Sequence, residues 1–422
     1  MKRREFIQNT AALSAVTIVS PATAFGTRAN SAVRVGIIGC GSRGTAVVAS
    51  MLNHANINVM AMADLFTDRL ESSKKILDEQ NIKKGFGAVA KQNTYLGSKA
   101  YRQLIENKDV DTVHISTPAY AHAAFLEAAV LAGKHVYCEK PVAPDVAGCR
   151  KVEHAGNLAG EKQSIVIGFQ IRHATPYVEM VQRIQRGDIG EILNVHLCYL
   201  ATESNVSSTA GMAYDEGRIR NHFNWHALSG GVMLDQAIHM IDVCNWALGT
   251  HPMSAIASGG IDESHKYGDT WKHFQVIYDY PGVKVSVLTT QFGKTFGDVC
   301  AKFIGTRGTA EAHYSGGVFI NGENQWDSGV PKTDAQKITE EQRRAGAFQS
   351  SLEDADPRKE IAFIKSIETG NYINETKSGA ESTLTAILGR EAAISGERIG
   401  WDELRNSGAR LDPMLNLEQF DL

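Results

Sequence analysis

The sequence predicts an α/β fold in two parts. A doubly wound parallel sheet comes first, and an α+β domain with a large, mostly antiparallel open sheet follows. Three observations point there. Over residues 32–168, short apolar runs rich in β-branched residues alternate with helical segments, as expected of parallel strands covered on both faces. A glycine-rich turn joins the first run to its helix. Beyond residue 169 the texture changes to long runs with a period of two, which suit strands with one covered face.

In chain order, Val33 to Ile38 is the first strand, and it flows into Gly39-Cys40-Gly41-Ser42-Arg43-Gly44 and an Ala/Val-rich helix to about His54. Glycines in the first, third and sixth places allow a tight turn, close approach to a pyrophosphate and close helix–strand packing. The phosphates would then sit on the free N–H groups of the helix start. The second strand, Ile57 to Ala63, ends in Asp64, an acidic residue placed to accept hydrogen bonds from an adenine ribose and to favour NAD. Arg69 nearby leaves NADP open. This is a dinucleotide-binding, Rossmann-type start. Residues 66–80 and 99–107 read as helices, Val110 to Thr117 as a strand, and 119–132 as an alanine-rich helix. A strand then runs into Cys138, and Ser164 to Gly168 closes the sheet.

Ligands of open parallel sheets lie beyond the carboxyl ends of the strands. Two of this chain's strands deliver candidate groups to that edge: Thr117, Pro118 and His122 after one, and Glu139-Lys140-Pro141 after the next. Lys140 offers an ammonium group to whatever binds there. His122 is open to two readings, a packed helix histidine or a cofactor contact.

In the second part, a helix over about 174–187 precedes period-two runs at Ile192 to Leu200, His273 to Tyr280, Val283 to Phe292, Cys300 to Gly305 and Thr309 to Tyr314. Between them, Val232 to Leu248 reads as one buried helix, apolar on nearly all sides. Asp235, His239 and Asp242 share a face of it, so Asp235 could fix the tautomer of His239 and prepare it as a base for an alcohol proton. The competing reading is a structural Asp–His pair. His222, His226 and His239 do not make a convincing metal-ligand set, so no metal is expected. Arg172, Arg220, Asn221 and Trp225 are candidates for holding a sugar, Trp225 over a pyranose face and the others on hydroxyls; ordinary packing competes for Trp225.

At 422 residues the chain has room for two domains, and its 43% hydrophobic and 21% charged residues are ordinary for a globular protein. A net charge of −4 without a basic stripe argues against nucleic acid. The six cysteines show no C-x-x-C spacing and read as buried thiols. Lys2-Arg3-Arg4 precedes a mild apolar run, Ala11 to Val19, and a small-x-small cleavage site after Ala24. That order predicts a twin-arginine export signal over residues 1–24, periplasmic delivery of a folded protein, and no membrane anchor. Residues 169–400 would form the second domain and 401–422 a tail.

Taken together, the glycine turn, Ser116-Thr117-Pro118 with His122, Ala132 through Glu139-Lys140-Pro141, and Gly230-Gly231 followed by Asp235 and His239 resemble the Gfo/Idh/MocA family of glucose-fructose oxidoreductase and inositol dehydrogenase. The resemblance spans about Val33 to Arg398. It implies a catalytic group of Lys140, Asp235 and His239, with Glu139 and Gln170 near the nicotinamide. It also implies a homodimer or homotetramer built on the open sheet. The expected activity is hydride transfer between NAD(P) and a secondary alcohol of a sugar or cyclitol. Export argues for tightly bound NAD, since the family includes an exported oxidoreductase that carries its cofactor along. A redox-neutral glycosidase or epimerase working through transient oxidation, and a non-catalytic sugar-binding protein, are the alternatives.

Overall fold

The computed structural model describes residues 31–201, 206–261, 267–291, 299–331 and 350–421. The export signal read over residues 1–24 and Phe292, the end of one expected strand, lie outside the described residues.

Six strands, β1 (Val33–Ile38), β2 (Ile57–Asp64), β3 (Thr94–Leu96), β4 (Thr112–Ile115), β5 (His135–Cys138) and β6 (Ile165–Ile167), form a sheet in the order β3-β2-β1-β4-β5-β6. Every pairing in it is parallel. The order reverses between β1 and β4, so the crevice outside their carboxyl ends is where a ligand of this topology binds. The strands are short and apolar because helices cover both faces. Ile37 and Val113 are fully buried.

The second sheet has nine strands: β7 (Ile192–Leu200), β8 (Ser254–Gly260), β9 (His273–Tyr280), β10 (Val283–Thr290), β11 (Val299–Gly305), β12 (Gly308–His313), β13 (Val318–Gly322), β14 (Trp326–Asp327) and β15 (Ile399–Gly400). Their order is β14-β13-β12-β11-β7-β10-β9-β8-β15. The pairing of β7 with β10 is parallel, and the others are antiparallel. The α/β class with a mostly antiparallel second sheet agrees with the sequence reading. The strand Ser254–Gly260 gave no clear signal because its small residues and glycines blur the period-two pattern.

The helix Val146–Ala159 begins where the Asp145 side chain accepts a hydrogen bond from the Gly148 backbone at 2.7 Å. Two later helices, Ala355–Thr369 and Thr376–Ser395, return the chain to the first sheet. Phe363 and Ile364 enter the core made by Val35, Ile37 and Tyr137. The segment between these helices runs beside β6, where the Ile165 amide donates to the Ile373 carbonyl at 2.6 Å. The two sheets are thus joined by helices that belong to both. Among the described residues, no helix is long and apolar enough to cross a membrane.

Packing of Thr376–Ser395 on the second sheet is close. A Cβ added at Gly389 would stand 2.2 Å from the hydroxyl of Tyr278, which is itself buried and donates to the Thr385 carbonyl at 2.8 Å. Gly389→Ala is expected to lower unfolding stability by about 1–3 kcal/mol, the usual range for overpacking. Urea denaturation of the variant against the parent checks this.

Candidate active site

The carboxyl edge of the first sheet faces the second domain across a groove of about 720 Å³. Its floor starts at the glycine turn. Gly39 has φ 93°, and a Cβ there would lie 2.5 Å from the Ser116 carbonyl; one on Gly44 would lie 2.3 Å from the Gly39 carbonyl. Both positions therefore require glycine. Gly41 differs: a Cβ would meet nothing within 4 Å, because that face opens into the groove. The helix Ser42–His54 starts here, and the N–H groups of a first helical turn have no intrahelical partners. An anionic diphosphate fits this cradle. Asp64 stands at the rim, its carboxylate accepting the Cys40 amide at 2.6 Å and the Phe66 amide at 2.8 Å. Burial raises its pKa despite these donors. Gly39, Gly41, Ser42, Asp64, Thr117, Pro118, His122, Glu139, Lys140 and Gln170 all line the groove; Gly44 lies behind it as a packing contact.

The guanidinium of Arg43 also borders the groove but is engaged beneath it. Its Nε donates to Glu139 at 3.1 Å, and its other nitrogens donate to both Asp356 oxygens at 3.0 and 3.1 Å and to Gln170 at 3.1 Å. Burial alone would raise the pKa of Glu139, but Arg43 and Lys359 together bring it below the usual glutamate value. His122 is buried, with one ring nitrogen 2.7 Å from the Pro141 carbonyl and the other 2.7 Å from the Thr117 carbonyl. A neutral ring can donate to only one of them. Burial, the largest influence, holds it below the ordinary histidine pKa. The ring thus ties the exit of β4 to the turn after Lys140, and the residue also lines the groove.

Lys140 projects from the end of β5 and donates to the backbone carbonyl of Asp235. Burial lowers its pKa, with Asp235 and Glu139 working in the opposite direction. Burial pushes the Asp235 carboxyl up to about 7 against the pull of Lys140. Burial, reinforced by Lys140 and Arg43, keeps His239 well below the ordinary histidine pKa and hence neutral.

The segment that carries Asp235 and His239 is not one regular α-helix. Met233–Ala237 forms a π turn, and the α-helix begins at Ile238 and ends at Leu248. Asp235 and His239 both reach the groove. The buried Nδ1 of His239 has no hydrogen-bond partner, so the expected carboxylate–imidazole bond is absent. Asp242 does not share their face: Arg172 donates to it at 2.9 and 2.8 Å, and Ser382 donates at 2.7 Å.

That ion pair corrects the reading of Arg172, which is committed to Asp242 and Trp246 and does not line the groove. Two further sugar candidates are also structural. Asn221 is buried and bonds the Ser207 backbone and the Gly217 carbonyl. Trp225 packs between Tyr214 and Tyr267 under the Arg218 guanidinium. Arg220 does line the groove, but at the Asp64 end: it pairs with Asp68 at 2.9 and 2.7 Å and stacks on Phe66 at 4.2 Å. Tyr199, Gln236, Gln291 and Tyr314 line the Lys140 end instead. Tyr199, Gln291 and Tyr314 sit at or just past the ends of β7, β10 and β12. The sequence marks where those strands end, but not which ends meet the first domain.

A neutral imidazole, a lysine and a carboxyl near pH 7 around one spot can move a proton and hold a developing oxyanion. Two family models match the chain. "Oxidoreductase family, NAD-binding Rossmann fold" covers residues 33–167, and "GFO/IDH/MocA C-terminal domain" covers residues 177–311. The inositol 2-dehydrogenase/D-chiro-inositol 3-dehydrogenase of Shouchella clausii is 30% identical over 217 residues, 51% of this chain and 53% of that protein. The inositol 2-dehydrogenase of Rhizobium meliloti is 27% identical over 265 residues, 62% and 66% of the two chains. The chain spans about half the length of most of the curated relatives it matches. Among solved structures, aldose-aldose oxidoreductase from Caulobacter crescentus in complex with glycerol matches at a TM-score of 0.66 and 19% identity, over 87% of this chain and 99% of that one. Scyllo-inositol dehydrogenase from Lactobacillus casei with NAD(H) and scyllo-inositol matches at 0.65 and 20%, over 88% and 99%. These last likenesses speak to the fold.

Gly41→Val places its side chain in the open cradle rather than against protein. It is expected to weaken NAD binding by about tenfold or more, equivalent to about 1.4 kcal/mol, while the melting temperature holds. Isothermal titration and a thermal melt of the same sample read both quantities.

Proposed function

The chain belongs to the Gfo/Idh/MocA oxidoreductase family, and we propose that it transfers a hydride between NAD(P) and a secondary alcohol of a sugar, sugar derivative or cyclitol. One observation carries the reading: Lys140, delivered by β5, meets Asp235 and His239 from the other domain in the same groove as the dinucleotide turn. The cofactor, when bound, would accept the hydride from the carbinol carbon. The glycine turn and the start of the helix Ser42–His54 would hold its diphosphate, Asp64 its adenine ribose, and Thr117, Pro118, Glu139 and Gln170 would border the nicotinamide half.

The chain's own residues handle the proton. Neutral His239 is the acceptor for the alcohol proton, and Lys140 steadies the oxygen as negative charge develops on it. Asp235 supports Lys140 electrostatically. Tyr199, Gln236 and Gln291 border the space where the polyol would lie.

Three companion readings belong to this proposal. The signal over residues 1–24 sends the folded protein to the periplasm, and NAD travels with it, tightly held. The chain assembles with copies of itself through the outer face of the second sheet, where Ile256, Ile277 and Leu288 are 42%, 49% and 43% exposed. Ile256 and Ile277 lie directly opposite each other in register, an exposed apolar pair on that face.

Lys140→Ala and His239→Ala are each expected to cut turnover by about 10² or more while NAD still binds. Steady-state assays across a panel of inositols and aldoses, with NAD titrations alongside, check both halves; near-parental turnover in both variants would sink the assignment. The pH profile gives a second check. As pH rises through about 7, Asp235 ionises and holds Lys140 in its charged form, so kcat/KM for alcohol oxidation is expected to rise there. In Asp235→Asn that limb should be gone from the profile.

A further inference from the structure

Residues 408–421 contribute nothing to the hydrophobic core, and none of them is buried. Ordering so exposed a stretch costs backbone entropy that burial does not offset. It is nevertheless fastened at four places, the last of them, Ser98, lining the groove. At its start, the Leu411 amide donates to Asp145 at 2.8 Å, and the Ala409 carbonyl accepts the Ala147 amide at 3.0 Å. Midway, the segment lies on the short helix Tyr214–Arg220. There Arg218 donates to the carbonyls of Pro413 and Met414 at 2.9 and 3.0 Å. Asp215 accepts the Asn416 amide at 2.9 Å and the Gln419 side chain at 3.0 Å. At the far end, Asp421 takes the Ser98 amide at 2.6 Å and the Ser98 hydroxyl at 2.8 Å.

The far end is the informative one. Asp64, Phe66, Ser98 and Tyr101 line the groove over the ends of β2 and β3, where the adenosine half of a dinucleotide lies. Leu417 lines the same groove. Phe420 meets Phe66 edge to face, with ring centroids 5.4 Å apart, while Arg220 covers the ring of Phe66 and pairs with Asp68. Met414, with φ 49°, is the one non-glycine residue at positive φ among the described residues; such strain persists where surrounding contacts over-determine it.

We infer that segment 409–421 is part of the cofactor site: a clasp in which Leu417 roofs the adenosine half while Phe420 and Asp421 position Phe66 and Ser98, so that the dinucleotide leaves only when the clasp lifts. This rests on the dinucleotide reading above and gives it a physical basis for slow exchange. Leu417 is the contact residue, and Phe420 and Asp421 are positioning residues. The anchor points Asp145, Asp215 and Arg218 lie outside the groove, so the clasp can open without disturbing Lys140, Asp235 or His239.

The test is a dissociation measurement on the full chain, using NADH fluorescence with excess NAD as chase. Three variants are compared: deletion of 409–421, the double variant Phe420→Ala/Asp421→Ala, and Phe420→Tyr. NADH release is expected to accelerate at least about tenfold in the first two, and KM for NAD to rise more than kcat falls. Phe420→Tyr keeps the ring and should restore slow release, which a general loss of packing would not do. If the deletion fails to fold, the double variant carries the decision. Release within about twofold of the parent in a folded double variant overturns the clasp. Failure of the full chain to bind NADH at all would instead overturn the dinucleotide reading beneath it.

Discussion

The guanidinium of Arg43 is the junction on which the site depends. It leaves the dinucleotide turn and reaches Glu139 beside Lys140, Gln170 after β6, and Asp356 on a helix that returns from the second half of the chain. Four separated stretches are thereby held at one point under the groove. Asp356 is in turn bonded by Lys359, whose ammonium is buried and lies 5.2 Å from the ring of Tyr137. Buried charges of this kind persist only when they are paired and hydrogen-bonded, and removing one partner leaves another uncompensated. The arrangement therefore fixes the relative placement of the two domains where a reaction would occur.

Burial sets the electrostatics of that place. It lowers Lys140 and raises Asp235, bringing these two closer together, and it keeps His239 neutral. A neutral imidazole can accept a proton, and a lysine held next to a carboxylate can stabilise an oxyanion. None of these properties belongs to the residues alone. Lys140 lies at the end of a strand in one domain and Asp235 in a π turn of the other, and their contact exists because the helices 355–369 and 376–395 pack on both. Roofing the other end of the groove falls to a segment with no core of its own.

Much of this was legible in the sequence. The glycine turn, Asp64 at the end of β2 and Lys140 at the end of β5 follow from local rules: glycine where a Cβ would collide, polar residues where strands end. The Asp242 and Arg172 readings failed for a different reason. A helical wheel places Asp242 with Asp235 and His239, but a π turn and a partner from another element decide where it faces. Asn221 and Trp225 looked like ligand-binding residues because polar and aromatic side chains in a loop serve recognition and packing alike; here Tyr214, Tyr267 and the Gly217 backbone use them for packing.

By itself the sequence determined the alternation of elements, the parallel character of the first sheet and the dinucleotide turn. Those are consequences of periodicity and backbone sterics over a few neighbouring residues. Only the tertiary structure decided that Arg43 serves Glu139 and Asp356, that His122 bridges two turns, that Arg220 faces the adenosine end, and that residues 409–421 run along the groove. Each of these joins residues far apart in the chain, and which side chain meets which across such a distance is set by the packing of whole helices and sheets.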